Sequence, residues 1–471
     1  MTTKAFYYTI AVALAWVLAW ALRSTKARQV LFLVVSYALY VTWGLGLLGL
    51  LIVSSLVNYA LGKFLKRNPS AGRLWIGLGF NLALLGSFKY LPAIAGAWSQ
   101  QSHTESALAN IVLPVGISFW TFEALSYLLD LYRGEELEPS LLEFCLYMAF
   151  WPTVLSGPIC RLPNLLPQFR QPFEPSKDDL RTGLDRVFVG LFMMALSQII
   201  GAGVKPGGGV DAAFAHTAGW GGLDVWVLAI GYGFQLFFDF ASYSHIVIGA
   251  ARLFGIRLEE NFARPYLATT PSVFWTRWHM SLSFWIRDYL FLPLATARRE
   301  MWWRNFALVF SMVIFGLWHG AALLFLIWGT YQGVLLLLHR QWQQLQRRTG
   351  FNWPDYIATP ISWMVTFAGI SVGWVFFRAN SLGQVRAMLG AIFSPSSYHQ
   401  FTLPASFYWL VLVLVGGYFC WVAGIQVALE RRGADFRKLV PLEVQFAAYA
   451  LMLYIAVLHT ARPQSFIYFQ F

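Results

Sequence analysis

Charge is what this chain has least of. Asp, Glu, Lys and Arg make up 12% of its 471 residues, about half of the roughly 25% that a soluble domain carries. Hydrophobic residues reach 58% and the mean hydropathy is +0.56, which excludes a water-soluble enzyme. Cysteine is also scarce. Cys145, Cys160 and Cys420 lie in or beside apolar runs without metal-ligand spacing, so they read as small buried hydrophobes and reveal nothing about redox compartment. There is no HExxH and no GxSxG, which argues against a zinc site and against a serine acyl-enzyme. Internal repeats and low-complexity tracts are absent too. The net charge of +12 is spread over short loops beside apolar runs, the positive-inside pattern of a membrane protein, and forms no contiguous patch. The bilayer is the partner it implies, and nucleic acid is not.

What is present is a series of apolar runs near the ~20 residues that cross a bilayer. Phe6 to Leu22 reads as a retained first span, because a basic loop and no small-residue cleavage site follows it. Val30 to Gly62 is long enough for two spans, with Gly44, Gly46 and Gly49 to bend it. Leu74 to Trp98 and Ile111 to Tyr132 follow. Leu141 to Gly157 contains Pro152 and is read as re-entrant or shallow. Residues 160 to 182 are placed along the membrane surface. Gly183 to Gly201 and Leu223 to Phe254 are spans. The arginine-dense stretch from Gly255 to Arg304 is read as short interfacial helices. Asn305 to His339 is a hairpin with His319 near its turn, and Tyr356 to Phe377, Ala405 to Leu429 and Val444 to His459 complete the set. The expectation is an all-α polytopic bundle of about 10 to 12 spans plus re-entrant and interfacial helices, one integral-membrane domain over residues 1–471. The basic segments 63–73, 298–304 and 340–348 are expected on the cytoplasmic side, and Ser99 to Asn110 and the KPGGGV loop outside.

Two histidines carry the chemistry. His319 lies in SMVIFGLWHGAALLFLIWG, and ionisable groups at such depth are expensive and usually functional. Its flanking Gly316 and Gly320 leave room for a substrate to reach the ring. Imidazole takes and returns a proton near neutral pH, so His319 is read as the general base that draws a proton from a hydroxyl attacking a thioester. His279 lies in FWTRWHMSLSFWIRDY. If that segment is helical, Ser283 and Arg287 share its face, and His279 orients the acyl donor or stabilises the oxyanion. Arg277 and Arg287 are candidates to hold phosphate. Trp278, Trp285 and Trp318 are expected to wall a tunnel against water, and Asp288 joins the donor-side set. No metal site is expected. His103, His216, His339, His399 and His459 sit in loops or at span ends and read as solvated.

The stretch NFARPY…FWTRWHMSLSFWIRDYLFLPL…GLWHGAALLFLIWG resembles the membrane-bound O-acyltransferase family. It is nearest the bacterial branch of alginate O-acetylation and teichoic-acid D-alanylation membrane proteins. LPVGISFWTFEALSYLLDLYRG, FFDFASYS and the terminal FIYFQF resemble the alginate branch as well. The likeness runs from about residue 110 to 340 and returns at the C-terminus. It implies a cytoplasmic acyl donor such as acetyl-CoA, no bound cofactor, and a tunnel through the bilayer of the bacterial inner membrane. It also implies His319 as catalytic base with His279 at a second polar position, and transfer to an envelope polysaccharide, commonly with a periplasmic acyltransferase partner. D-Alanyl transfer from a carrier protein is an alternative, and a multi-span transporter or assembly scaffold is one of another class. Three positions depart from the branch pattern. ATARRE replaces a Gly-Gly-Asn-Arg turn, Tyr331 and Gln332 stand where a third histidine is usual, and His245 replaces an aspartate.

Overall fold

The computed structural model describes residues 3–102, 106–204, 207–216, 219–350, 353–427, 429 and 439–459. His103 and the FIYFQF segment lie outside the described residues. Among the described residues the chain is helical with no β-strand, a single isolated β-bridge aside. Nine helices there are long and apolar enough to cross a membrane, and Tyr7–Ala21 and Leu382–Phe393 are shorter apolar helices. The protein is an all-α, multi-pass membrane protein.

Contacts divide the chain into two compact units, residues 1–187 with 243–260 and residues 188–242 with 261–471. The first unit begins with α1 (Thr3–Ala21), α2 (Thr25–Tyr40) and α3 (Leu45–Arg67). The expected hairpin bends at Gly44, whose φ of 145° suits a residue without Cβ. Next are α4 (Ala71–Leu85), a wider π-type turn at Gly86–Tyr90, α5 (Leu91–Ser102) and α6 (Ile117–Tyr132). Asn58 of α3 and Asn81 of α4 are fully buried and exchange amide hydrogen bonds of 3.1 and 2.7 Å, the polar glue that apolar surroundings favour between helices. Gly116 opens α6 at φ 77°, and a Cβ there would stand 1.9 Å from the Val154 carbonyl oxygen. That close approach explains the glycine of LPVG.

The re-entrant reading of residues 141–157 becomes a nine-residue helix, α7 (Leu141–Ala149), followed by buried turns. Then come α8 (Leu162–Arg170) and α9 (Lys177–Ala202). Ser140 and Glu143 form a capping box at the start of α7, which satisfies two orphan N–H groups. Arg170 of α8 donates to Glu143 at 2.7 and 3.0 Å. This guanidinium contact holds the Glu143 carboxyl down at about 2, against burial, which pushes it up. A depressed carboxylate stabilises the fold fully above its ordinary value of 4.5 and loses that contribution as pH falls towards 2. Hydrogen exchange along α7 is therefore expected to accelerate on acidification through this window. Arg170→Ala should already show fast exchange at neutral pH, with a weaker dependence on acid.

The second unit takes over within α9 and continues through α10 (Val210–Ala215) and most of α11 (Gly222–Leu253). The Gly255–Arg304 stretch forms, as expected, only short pieces: α12 (Pro271–Trp275), α13 (Met280–Ile286) and α14 (Leu292–Thr296). The hairpin of α15 (Met301–His319) and α16 (Leu323–Thr349) follows, then α17 (Asp355–Arg378), α18 (Leu382–Phe393), α19 (Ala405–Phe419) and α20 (Leu442–His459). His339 and the basic 340–348 segment were expected beyond a span end, yet α16 runs through them. Gln, Leu and Arg sustain a helix, and it stops only at Gly350, whose φ of 66° and N–H bond to Gln346 form a left-handed cap.

Candidate active site

Ahead of α13, two extended segments clip together. Phe262 and Trp278 form the isolated antiparallel bridge. The Ala263 N–H donates to the Arg277 carbonyl at 3.0 Å and the Met280 N–H to that of Asn261 at 2.9 Å. The Ser281 hydroxyl donates to Asn261 Oδ1 at 2.6 Å. This clip contains the only non-glycine residues with positive φ among those described, Arg264 at 54° and His279 at 42°. A side chain in this region stores roughly 1–3 kcal/mol of strain, and such strain persists where neighbours over-determine it and collects at functional sites. Asn261, fully buried, supplies that constraint by holding both residues that follow His279.

His279 therefore does not share a helical face with Ser283 and Arg287. Helix α13 starts one residue later, at Met280, and the left-handed backbone redirects the ring. Ser283 donates to the Trp278 carbonyl at 2.9 Å, a local bond closing the turn. Arg287 is half exposed, bonded to Asp288 at 2.6 and 3.2 Å, and lies over the Phe284 ring at 4.6 Å. Arg277 is partly buried, and Trp285 packs on Tyr289 at 5.1 Å. Trp278 is buried among Phe237, Phe262, Phe274 and Trp374.

The His279 ring is fully buried, edge-on to Phe240 at 4.6 Å and 5.9 Å from Trp318. Burial drives it down to about 3, so at neutral pH it is an uncharged imidazole with one N–H to donate. His319 ends α15. Its ring, 6% exposed, sits in a box of Phe315, Trp318, Trp328 and Phe377 at 5.0 to 5.3 Å between centroids. Trp318 thus touches both histidine rings. The structure brings His279, Trp318 and His319 together in one aromatic chamber, with Phe240 against His279. Two buried imidazoles thus pack against one indole, Trp318. Arg287 and Asp288 engage each other instead, and Ser283 caps its own turn.

The flanking glycines serve packing rather than access. A Cβ on Gly316 would stand 2.3 Å from the Phe325 carbonyl oxygen and 3.0 Å from the Gly329 Cα; one on Gly329 would stand 2.4 Å from the Met312 carbonyl oxygen. A Cβ on Gly320 would meet the Phe325 ring at 2.5 Å. Gly329 and Gly333 on α16 are four apart and face Gly316, Met312 and Val309 of α15, the small-residue spacing that lets membrane helices touch backbones; Gly320 lies just past the end of α15.

Gln332 was noted from the sequence only as a departure from a family pattern. It is 1% exposed, one turn along α16 from Trp328, and lies against Gly373 of α17. Neither end of its amide has a hydrogen-bond partner among the described residues, and the Trp328 Nε1 has none either. Buried polar atoms of this kind are costly unless something polar meets them. Phe240, Asn261, Trp328 and Phe377 also escaped the sequence reading as individual site residues; Phe240, Asn261 and Trp328 lie within motifs it had singled out, and Phe377 does not. Among the described residues no three His, Cys, Asp or Glu side chains gather as a metal site.

The family model for the membrane-bound O-acyltransferase family matches residues 25–379. A probable alginate O-acetylase of Pseudomonas putida is 34% identical over 391 residues, covering 79% of this chain and 76% of that one. A peptidoglycan O-acetyltransferase of Helicobacter pylori is 31% identical over 378 residues, covering 73% and 69%. A teichoic acid D-alanyltransferase of Streptococcus thermophilus is 32% identical over 242 residues, covering 48% and 57%. With the two-histidine chamber inside the matched region, the chain belongs to the membrane-bound O-acyltransferase family and is an O-acyltransferase.

Proposed function

We propose that this enzyme carries an acetyl group from acetyl-CoA, bound on the cytoplasmic side of the bacterial inner membrane, to a hydroxyl of a cell-envelope polysaccharide or of a periplasmic partner that completes the transfer. The observation that carries the reading is the pair of buried histidines meeting at Trp318. His319 takes the proton of the acceptor hydroxyl as its oxygen attacks the thioester carbonyl. The His279 N–H faces the oxygen on which negative charge develops. The C–S bond then breaks, the thiolate leaves, and the imidazolium of His319 returns the proton to it. Aromatic walls exclude water, which protects the thioester from hydrolysis. Acetyl is favoured over D-alanyl because the two O-acetyl relatives align over 79% and 73% of the chain and D-alanyl relatives over 48% and 58%.

The test is sided transfer. The purified protein in sealed liposomes receives labelled acetyl-CoA on the face bearing the 340–348 segment and an oligosaccharide acceptor on the other. Labelled acceptor and free CoA are expected in equal amounts, and the opposite loading should give neither. Turnover only with a D-alanyl carrier protein, or with donor supplied from the wrong face, would overturn the reading.

A further inference from the structure

The first unit contains a cavity whose lining includes none of the residues of the histidine chamber. It has a volume of about 450 Å³ and is lined by the end of α3, by Tyr127 of α6 and by Leu137, Glu138 and Pro139. Lys63, Lys66 and Arg67 of α3 face into it. Their spacing of three and four residues puts all three cations on one helical face. The wall behind them is closely fitted. Tyr127 occupies the space where a Cβ on Gly62 would stand, with its hydroxyl 2.2 Å from that position, and packs at a tilt against Phe144 at 4.6 Å. The Lys63 ammonium rests over the Tyr59 ring at 4.9 Å.

The charge on this wall is not balanced. Glu138 pairs with Lys66, and the Lys66 contact holds its carboxyl below the ordinary range. Lys63 and Arg67 form no ion pair of their own among the described residues, although Lys63 lies close enough to Glu138 to help hold its carboxyl down. Elsewhere in the unit Arg170, Arg186 and Arg252 each end on an acid. The negative end of the α3 dipole favours cations in its last turn, which accounts for their presence but not for the concavity they line. Three cations sharing one carboxylate beside tyrosine rings, one of them a guanidinium able to grip two oxygens at once, match a phosphate ester better than a second carboxylate.

We propose that this cavity is a binding site for a phosphate ester, separate from the histidine chamber. The same chemistry is offered by an anionic phospholipid headgroup and by a soluble phosphate ester. The Lys66–Glu138 pair borders the site, with Glu138 competing for one of its cations.

The experiment uses the full chain in phosphatidylcholine nanodiscs. In one arm adenosine 3′,5′-bisphosphate is titrated in. In the other the discs contain phosphatidylglycerol, and lipid retained on the released protein is counted by native mass spectrometry. The Lys63→Gln/Arg67→Gln double variant is expected to bind about tenfold or more weakly in one arm, and Glu138→Gln to bind more tightly in the same arm. Loss in the lipid arm identifies a headgroup site, and loss in the soluble arm a nucleotide-type site. Equal binding by wild type and both variants in both arms would overturn the proposal. Since neither readout depends on acyl transfer, failure here is distinct from failure of the acetyltransferase reading.

Discussion

His319→Ala is expected to lower acyl transfer by a factor of about 10² to 10⁴, the usual loss when a general base is removed, while the protein still folds and inserts. The ring ends α15 and packs among the rings of Phe315, Trp328 and Phe377, so truncation removes ring packing at a helix end and leaves the α15 backbone in place. The measurement is single-turnover acetylation at saturating donor beside a thermal unfolding curve. Equal rates for mutant and wild type would remove His319 from the chemistry. His279→Ala should also slow transfer, with a structural component, because its left-handed backbone is strained for alanine. His279→Asn separates the two effects, since asparagine tolerates that conformation better than most residues. It should restore folding without restoring the rate.

Gly316→Val and Gly329→Val are expected to be the most damaging changes to the fold of this region. Each new side chain meets a backbone carbonyl oxygen, at 2.3 and 2.4 Å from its Cβ, and backbone in a helix cannot swing aside as a side chain does. Overpacking typically costs about 1–3 kcal/mol, and here the cost should lie at the top of that range or above. Folded yield and unfolding temperature should fall, and activity should vanish with them, because the same hairpin carries His319 at its turn. Gly390→Ala provides the control: nothing stands within 4 Å of its Cβ, so a neutral or slightly stabilising effect is expected. Valine at Gly316 with wild-type stability but blocked transfer would restore the reading of these glycines as room for substrate.

The sequence pattern was legible wherever one residue type had one physical meaning. Apolar length marked the spans, Gly44 marked the bend between α2 and α3, and a histidine inside an apolar run marked His319. Legibility failed where a segment's conformation depended on distant residues. His279 was placed on a helix because its neighbours suit one, yet Asn261, eighteen residues upstream, clips the chain and turns its backbone left-handed. Arg287 looked like a phosphate ligand from its charge, but Asp288 and Phe284 hold its guanidinium.

By itself, then, the sequence determined that this chain lives in a bilayer, roughly where it crosses, and that His319 is worth its burial. Those follow from transfer energies and spacings that act residue by residue. Only the tertiary structure decided that His279 and His319 meet across Trp318, that Gly316 and Gly329 let two helices touch, and that Gln332 and Trp328 add polar groups to the chamber. Such meetings join residues on different helices, and nothing in the local pattern of either helix specifies which face its partner will present.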